Sequence, residues 1–155
     1  ALRPVAWTIS TLLPPIGRGN LRSPVTNDNI YVLDEPFEDN TLTNDREMWE
    51  YMGRHASSNP GLALGSPSII WLREALRELR KLAARPAPKA PCICFLGTNE
   101  RIVDPGRSKA RMGSWPGGQL IEFPEAEHEV MMEEPAVRNR VFDESTALFE
   151  AAHAA

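Results

Sequence analysis

Apolar residues recur at the spacing of an α-helix in two long segments of the chain. In the first, Ser-Pro-Ser at residues 66–68 favours a helix start and precedes a stripe with charged residues between its apolar members, which are Ile69, Leu72, Leu76, Leu79 and Ala83. The second segment, residues 134–152, has the apolar members Val137, Val141, Phe142, Leu148 and Phe149. Both patterns predict amphipathic helices that turn one face toward a core.

The N-terminal third is less regular. An apolar stretch over residues 5–13 is compatible with a short helix. Residues 14–36 contain Pro, Gly, Asn and Asp at high density, which predicts an irregular loop. Residues 45–57 follow with helical spacing, and either Thr43 or Asn44 is expected to cap that helix.

A different pattern follows in the C-terminal half. Residues 92–96 form a continuous apolar run between Pro91 and Gly97, which predicts a strand buried on both faces. Residues 105–112 suit a short helix, and residues 119–123 suit a second strand. Strand, helix, strand and helix in this order predict an α/β architecture in which the two strands are adjacent and parallel, joined by a right-handed crossover.

Composition narrows the class of protein. The 155 residues are 42% hydrophobic and 25% charged, with a net charge of −4, which suits one globular domain and argues against a nucleic-acid partner. Cys92 and Cys94 are interpreted as buried small apolar groups in a reducing compartment. No apolar run approaches the roughly 18 residues of a membrane span, and residues 5–13 do not predict a signal peptide. A cytoplasmic protein is therefore expected.

Polar turns follow both predicted strands. Glu100 and Asp104 come after the first strand, and His128 comes after the second. Because neighbouring strands lie about 4.8 Å apart, a carboxylate on one turn can reach a histidine on the other. An acid followed by a histidine is the closing order of a Ser…Asp/Glu…His triad on an α/β fold. A surface histidine with a simple ion-pair partner would fit the same residues, so the residues alone leave both interpretations open.

Four segments carry a resemblance to a known family. Residues 95–104 (FLGTNERIVD) resemble the acid turn of the lysophospholipase and monoacylglycerol lipase group of α/β-hydrolases, and residues 126–133 (AEHEVMME) resemble its histidine turn. Residues 41–46 (TLTNDR) resemble part of its cap, and residues 62–72 (LALGSPSIIWL) the return from the cap to the core. The similarity covers about residues 41–150 and is greatest to the bacterial lysophospholipase branch.

The resemblance implies roles for three residues. In this family the acid usually stands three residues after the glycine that ends the strand, and that position is Glu100, where most relatives carry Asp. Asp104 is the alternative acid; if Glu100 acts, Asp104 with Pro105 is expected to cap a helix. His128 would be the general base. The resemblance implies no metal and no organic cofactor.

The nucleophile of this family is not found in the chain. No Gly-x-Ser-x-Gly elbow occurs; the nearest sequence, residues 106–110 (GRSKA), is expected to start a helix. The resemblance therefore divides the chain into a cap over residues 1–62 and the C-terminal part of an α/β-hydrolase core over residues 63–155. The serine would lie on an N-terminal half absent from this chain, and residues 1–155 alone are expected to be inactive.

The implied function is hydrolysis of carboxylic esters, as in a lysophospholipase or a monoacylglycerol lipase. The expected partners are a lipid or small ester substrate, the absent half of the fold, and a membrane surface touched peripherally through the cap. Two alternatives stay open: a non-catalytic binding or scaffolding domain derived from a hydrolase, and another acyl-transfer enzyme of the same fold.

Overall fold

A computed structural model describes residues 3–22, 30–62 and 65–153. Its elements follow in the order α1 (Arg3–Leu12), α2 (Tyr31–Asp34), α3 (Arg46–Ser58), α4 (Ile69–Ala84), β1 (Cys92–Gly97), α5 (Pro105–Gly113), β2 (Gly118–Phe123) and α6 (Pro135–His153). Short 3-10 turns occur at Pro14–Ile16, Phe37–Asp39, Pro60–Leu62 and Val130–Met132.

The chain forms two compact units. The first consists of residues 1–34 and 56–86, and the second of residues 35–55 and 87–155. The residues of each unit mainly contact other residues of the same unit. The division into a cap and a core at residue 62, which the resemblance implies, stays a prediction.

The first unit is built around the packing of α1 against α4. The Ser68 hydroxyl accepts a hydrogen bond from the Trp71 N–H at 3.2 Å, which confirms the predicted helix start. The N–H groups of the first two residues of α4 bind the preceding segment of the chain: Ile69 donates to the Leu21 carbonyl, and Ile70 donates to the Gly19 carbonyl, each at 2.9 Å. These bonds fix the point at which the chain enters α4.

The N-terminal helices correct two expectations. Residues 14–36 are not one irregular loop, because α2 and a 3-10 turn form within them; residues 23–29 of that loop lie outside the described residues. The predicted caps of α3 are also wrong. The Asp45 carboxylate accepts the N–H groups of Glu47 and Met48, at 2.9 and 3.2 Å, and is therefore the N-cap. The Thr43 and Asn44 side chains have other partners, described below.

The second unit contains a two-stranded sheet, and the predicted pairing is confirmed. Strands β1 and β2 are parallel and in register from Cys92 opposite Gly118 to Gly97 opposite Phe123. Helix α5 connects them, and α6 covers one face of the sheet. The core between the sheet and α6 consists of Phe123, Ala126, Val130 and Val141, with Phe95, Ile121 and Val137 packed around them.

Burial in this sheet is lower than the sequence predicts. Only Leu96 and Gly97 of β1 are buried, and the strand residues before them are partly exposed, the two cysteines included. On α6, Phe142 and Phe149 are 52% and 71% exposed. The physical reason is that two strands offer α6 a surface only about 5 Å wide between strand axes, which Val137 and Val141 already cover. Partial burial and the neighbouring Cys92 raise the pKa of the Cys94 thiol.

No helix within the described residues combines the length and the apolar character that a bilayer crossing requires.

Candidate active site

The two polar turns meet at one edge of the sheet because β1 and β2 run in the same direction. Gly97 ends β1 where the backbone of the second turn passes over it: a Cβ atom at this position would lie 2.2 Å from the Ala126 carbonyl oxygen and 2.3 Å from that of Glu127. Only glycine permits this approach. The N–H of Asn99 then donates to the Ala126 carbonyl at 3.0 Å, so the two turns share backbone hydrogen bonds.

Glu100 and His128 form the central contact. Glu100 Oε2 lies 2.6 Å from His128 Nδ1, and the Glu100 side chain is 3% exposed, against 28% for His128. The second oxygen, Oε1, accepts the N–H groups of Ile102 at 2.6 Å and Val103 at 2.9 Å. Both carboxylate oxygens are therefore held, and one of them faces the imidazole.

Electrostatics favour an ionised acid at this position. Burial by itself raises the pKa of Glu100, but hydrogen bonds from the Val103 N–H, the His128 ring and the Ile102 N–H outweigh it, and the net pKa is lowered. An ionised acceptor favours the tautomer in which Nδ1 carries the proton. The lone pair is then on Nε2, which makes no hydrogen bond with the described residues, so the ring is oriented to accept a proton there.

Asp104, the alternative acid, has a different role in the structure. Its Oδ1 accepts the Gly106 N–H at 3.0 Å at the start of α5, directly before Pro105, and its Oδ2 lies 3.3 Å from Arg107 Nε. It is thus the helix cap, as expected if Glu100 contacts the histidine. Ser108 lies in the first turn of α5 rather than in a strand-to-helix elbow.

The sequence interpretation missed the segment that packs along the histidine turn. Residues 40–44 run beside it: the N–H of His128 donates to the Thr41 carbonyl at 3.3 Å, and the N–H of Glu129 donates to the Leu42 carbonyl at 2.8 Å. The buried Thr43 hydroxyl donates to the Met132 carbonyl at 2.6 Å. Only the resemblance of residues 41–46 to a cap pointed to this segment, and it did not indicate which residues they contact.

Two buried glutamates complete the histidine turn. The Glu133 carboxylate, in a residue only 2% exposed, accepts the Glu127 N–H at 2.7 Å and both the backbone N–H and the side-chain amide of Asn44 at 3.2 Å. Glu127 pairs with Arg101 at 2.7 Å, and its Oε2 has no hydrogen-bond partner among the described residues. The run of glutamates around His128 is therefore partly an internal framework rather than a solvated surface.

The relatives of this chain among known proteins include two that carry the name lysophospholipase L2, one of them as probable. The chain is 28% identical over 106 residues to a probable lysophospholipase L2 of Haemophilus influenzae, and 27% identical over 113 residues to lysophospholipase L2 of Escherichia coli K12. These alignments cover 68% and 67% of this chain but 34% and 33% of the relatives. The chain thus spans about a third of the length of the curated relatives it matches. No protein-family model matches it.

The solved structures include a similar fold. A soluble variant of monoglyceride lipase from Saccharomyces cerevisiae, crystallised with a substrate analog, superposes with a TM-score of 0.65 at 19% identity, covering 97% of this chain and 50% of that one. Together, the sequence and fold similarities confirm the predicted resemblance: this chain resembles the lysophospholipase and monoacylglycerol lipase group and has the C-terminal part of an α/β-hydrolase fold with a mainly helical cap.

Proposed function

We propose that this chain supplies the acid and the general base of a serine-hydrolase triad that cleaves carboxylic esters. The observation that carries the proposal is the 2.6 Å contact between Glu100 Oε2 and His128 Nδ1, in which the acid is buried and ionised and Nε2 stays available. A buried carboxylate behind an oriented imidazole is the arrangement that lets histidine act as a base at neutral pH.

In the proposed reaction, a serine on a segment outside this chain attacks the ester carbonyl carbon. His128 Nε2 accepts the serine proton and passes it to the oxygen of the leaving alcohol, which departs as the acyl-enzyme forms. In the second half, water attacks the acyl-enzyme while His128 takes a proton from it and returns a proton to the serine oxygen. Glu100 holds the ring in place and stabilises the imidazolium formed in each half.

The substrate class rests on the relatives' names, lysophospholipase and monoglyceride lipase. We extend to this chain the chemistry common to those names, an ester of one fatty acyl chain with a glycerol-based alcohol. Exposed apolar side chains of the first unit support contact with a lipid surface, because Leu12, Ile16 and Trp71 are each at least 60% exposed. We propose a protein that binds such a surface peripherally.

The first experiment separates the two carboxylates. In the natural gene product that contains residues 1–155, Glu100→Gln should lower kcat for a short-chain p-nitrophenyl ester by up to about 10⁴-fold, and His128→Ala by at least as much. Asp104→Asn is the matched control, because asparagine caps helices about as well as aspartate and should leave kcat within about twofold. Loss of activity in Asp104→Asn but not in Glu100→Gln would reject the assignment of the acid.

The second experiment locates the nucleophile. A fluorophosphonate probe should label the natural gene product at a serine outside residues 1–155, and residues 1–155 expressed alone should show neither labelling nor ester turnover. The fragment should also aggregate or melt without a cooperative transition, because Phe142, Phe149 and part of β1 lack cover. No labelled serine in the gene product would favour a scaffolding domain, and labelling with turnover of other acyl substrates would favour a different acyl-transfer enzyme.

A further inference from the structure

The residues just before His128 hold a backbone conformation that side chains seldom adopt. Glu125 has φ of 60°, a left-handed conformation that costs a non-glycine residue about 1–2 kcal/mol. Such a conformation persists only where the surroundings hold it. Two amide side chains do so here: Asn44 Nδ2 and Asn99 Nδ2 both donate to the Glu125 carbonyl oxygen, at 2.8 and 2.9 Å.

A buried carboxylate holds the same turn closer to the histidine. Glu133 Oε1 accepts the N–H of Glu127, the residue directly before His128, and the side-chain amide of Asn44. Asn44 thus links the Glu133 carboxylate to the Glu125 carbonyl. The two clamp residues bind the turn at Glu125 and at Glu127, which are three residues and one residue before His128. We refer to Asn44 and Glu133 as the histidine-turn clamp.

The clamp places a buried carboxylate where an apolar side chain could stand. Removing a carboxylate from water carries a penalty, and a well-packed apolar side chain of similar volume often stabilises a protein as well or better. The Glu133 carboxylate accepts hydrogen bonds from the N–H donors of the turn and of Asn44, whereas the neighbouring Arg138 donates to the Glu133 backbone carbonyl, at 3.1 Å. A carboxylate directed at these donors defines the position of the turn more tightly than apolar packing does.

We infer that Glu133 and Asn44 are positioning residues for His128, which keep its imidazole in line with Glu100. This inference rests on the proposed function, in which His128 is the base. Neither residue touches His128 itself; both act through the backbone on which the ring is mounted. A displacement of about 1 Å at a catalytic group can lower a rate about 10²-fold, so a modest shift of this turn would be visible in kcat.

Two nearly isosteric variants test the clamp. Glu133→Gln replaces one carboxylate oxygen by an NH₂ group. The backbone N–H of Asn44 lies 3.2 Å from each of the two oxygens, so the new NH₂ group and this N–H are two donors that face each other. Asn44→Asp replaces the donor by a carboxylate oxygen that faces both the Glu125 carbonyl and Glu133. The matched controls are Glu134→Gln and Asn139→Asp. Both residues are exposed, and the substitutions make the same chemical changes outside the turn.

Two readouts are measured on the natural gene product. The first is the low-field NMR resonance of the His128 Nδ1 proton, which requires the hydrogen bond to Glu100 but no catalytic activity. The second is kcat and KM for a p-nitrophenyl ester. In both clamp variants we expect the resonance to broaden or vanish, kcat to fall about 10- to 100-fold and KM to change less than about twofold. The controls should match the parent protein.

Each result bears on the inference. Loss of the resonance in a protein that never hydrolyses esters would support the clamp and reject the proposed function. An unchanged resonance in a folded clamp variant would overturn the clamp, whatever happens to kcat. If both clamp variants lose the cooperative thermal transition that the controls keep, the two residues support the fold as a whole and the inference is also overturned.

Discussion

The acid turn and the histidine turn lie at the same edge of the sheet but are held in different ways. Glu100 accepts hydrogen bonds from residues two and three positions later, and Asp104 caps the helix that it precedes. The histidine turn also receives hydrogen bonds from far along the chain: Thr43 reaches Met132 across 89 positions, and Asn44 reaches Glu125 across 81.

This difference indicates which parts of the site depend on the rest of the protein. The two carboxylates of the acid turn bind N–H groups only two or three positions later in the sequence, so we expect these bonds to form wherever β1 and α5 form. The histidine turn is complete only when residues 40–44 pack beside it. Damage to the remote segment should therefore disturb His128 while leaving the capping of α5 intact.

The largest effect on stability is expected where the two turns touch. Gly97→Ala would place a Cβ atom 2.2 Å from the Ala126 carbonyl oxygen, and because that atom belongs to the backbone the turns must separate. We expect a loss of about 3 kcal/mol or more in the free energy of unfolding, measured by urea denaturation of the natural gene product. Gly113→Ala is the control, because its Cβ would meet no atom within 4 Å; equal losses in the two variants would contradict this view.

The next effect compares a remote contact with a local one. Thr43→Val removes a buried hydroxyl that donates to the Met132 carbonyl and accepts the Asp45 N–H, which should cost about 2 kcal/mol. Asp104→Ala removes an exposed cap in the acid turn and should cost about 1 kcal/mol. Thr43→Ser keeps the hydroxyl and should recover most of the loss. A larger loss in Asp104→Ala than in Thr43→Val, in the same urea series, would reverse the comparison.

A third prediction concerns pH. The pKa of Glu100 is lower in the folded state than its value of about 4.3 in an unfolded chain, so its contribution to stability is complete above about pH 4.3. It is lost progressively as the pH falls through the folded pKa, because the unfolded chain takes up the proton first. The Tm of the parent protein should therefore drop more steeply below about pH 4.3 than that of Glu100→Gln. If Tm falls with pH equally in the two proteins, the pKa of Glu100 is not lowered on folding.

The smallest effect is expected to be stabilising. Glu125→Gly relieves the left-handed conformation while keeping the carbonyl that Asn44 and Asn99 bind, and should raise the free energy of unfolding by about 0.5–1 kcal/mol. Glu129→Gly, at a position with φ of −92°, should lower it by a similar amount, because glycine there only adds freedom to the unfolded chain. A loss of stability in Glu125→Gly would mean that the side chain contributes more than the strain costs.

Much of the secondary structure follows from the sequence alone. The start of α4 at Ser68 and the parallel pairing of β1 with β2 were predictable, and the cap of α5 at Asp104 was predicted on the condition that Glu100 is the acid. Helix caps and apolar periodicity act over a few residues, so their signals are complete within a short stretch of chain. A contact between an acid after β1 and His128 was also predictable in outline, because parallel strands bring their carboxyl ends to the same edge. The choice of Glu100 over Asp104 came from the family resemblance.

The tertiary structure alone decided which polar side chains face inward. Thr43 and Asn44 were suitable caps by sequence, yet both bind the histidine turn and leave the cap to Asp45. Glu133 looks like one more charged residue in an acidic run, but it is buried against N–H donors that arrive from residues 44 and 127. A polar side chain binds whichever donor or acceptor the fold brings near, and for residues more than 80 positions apart no local pattern records that neighbour.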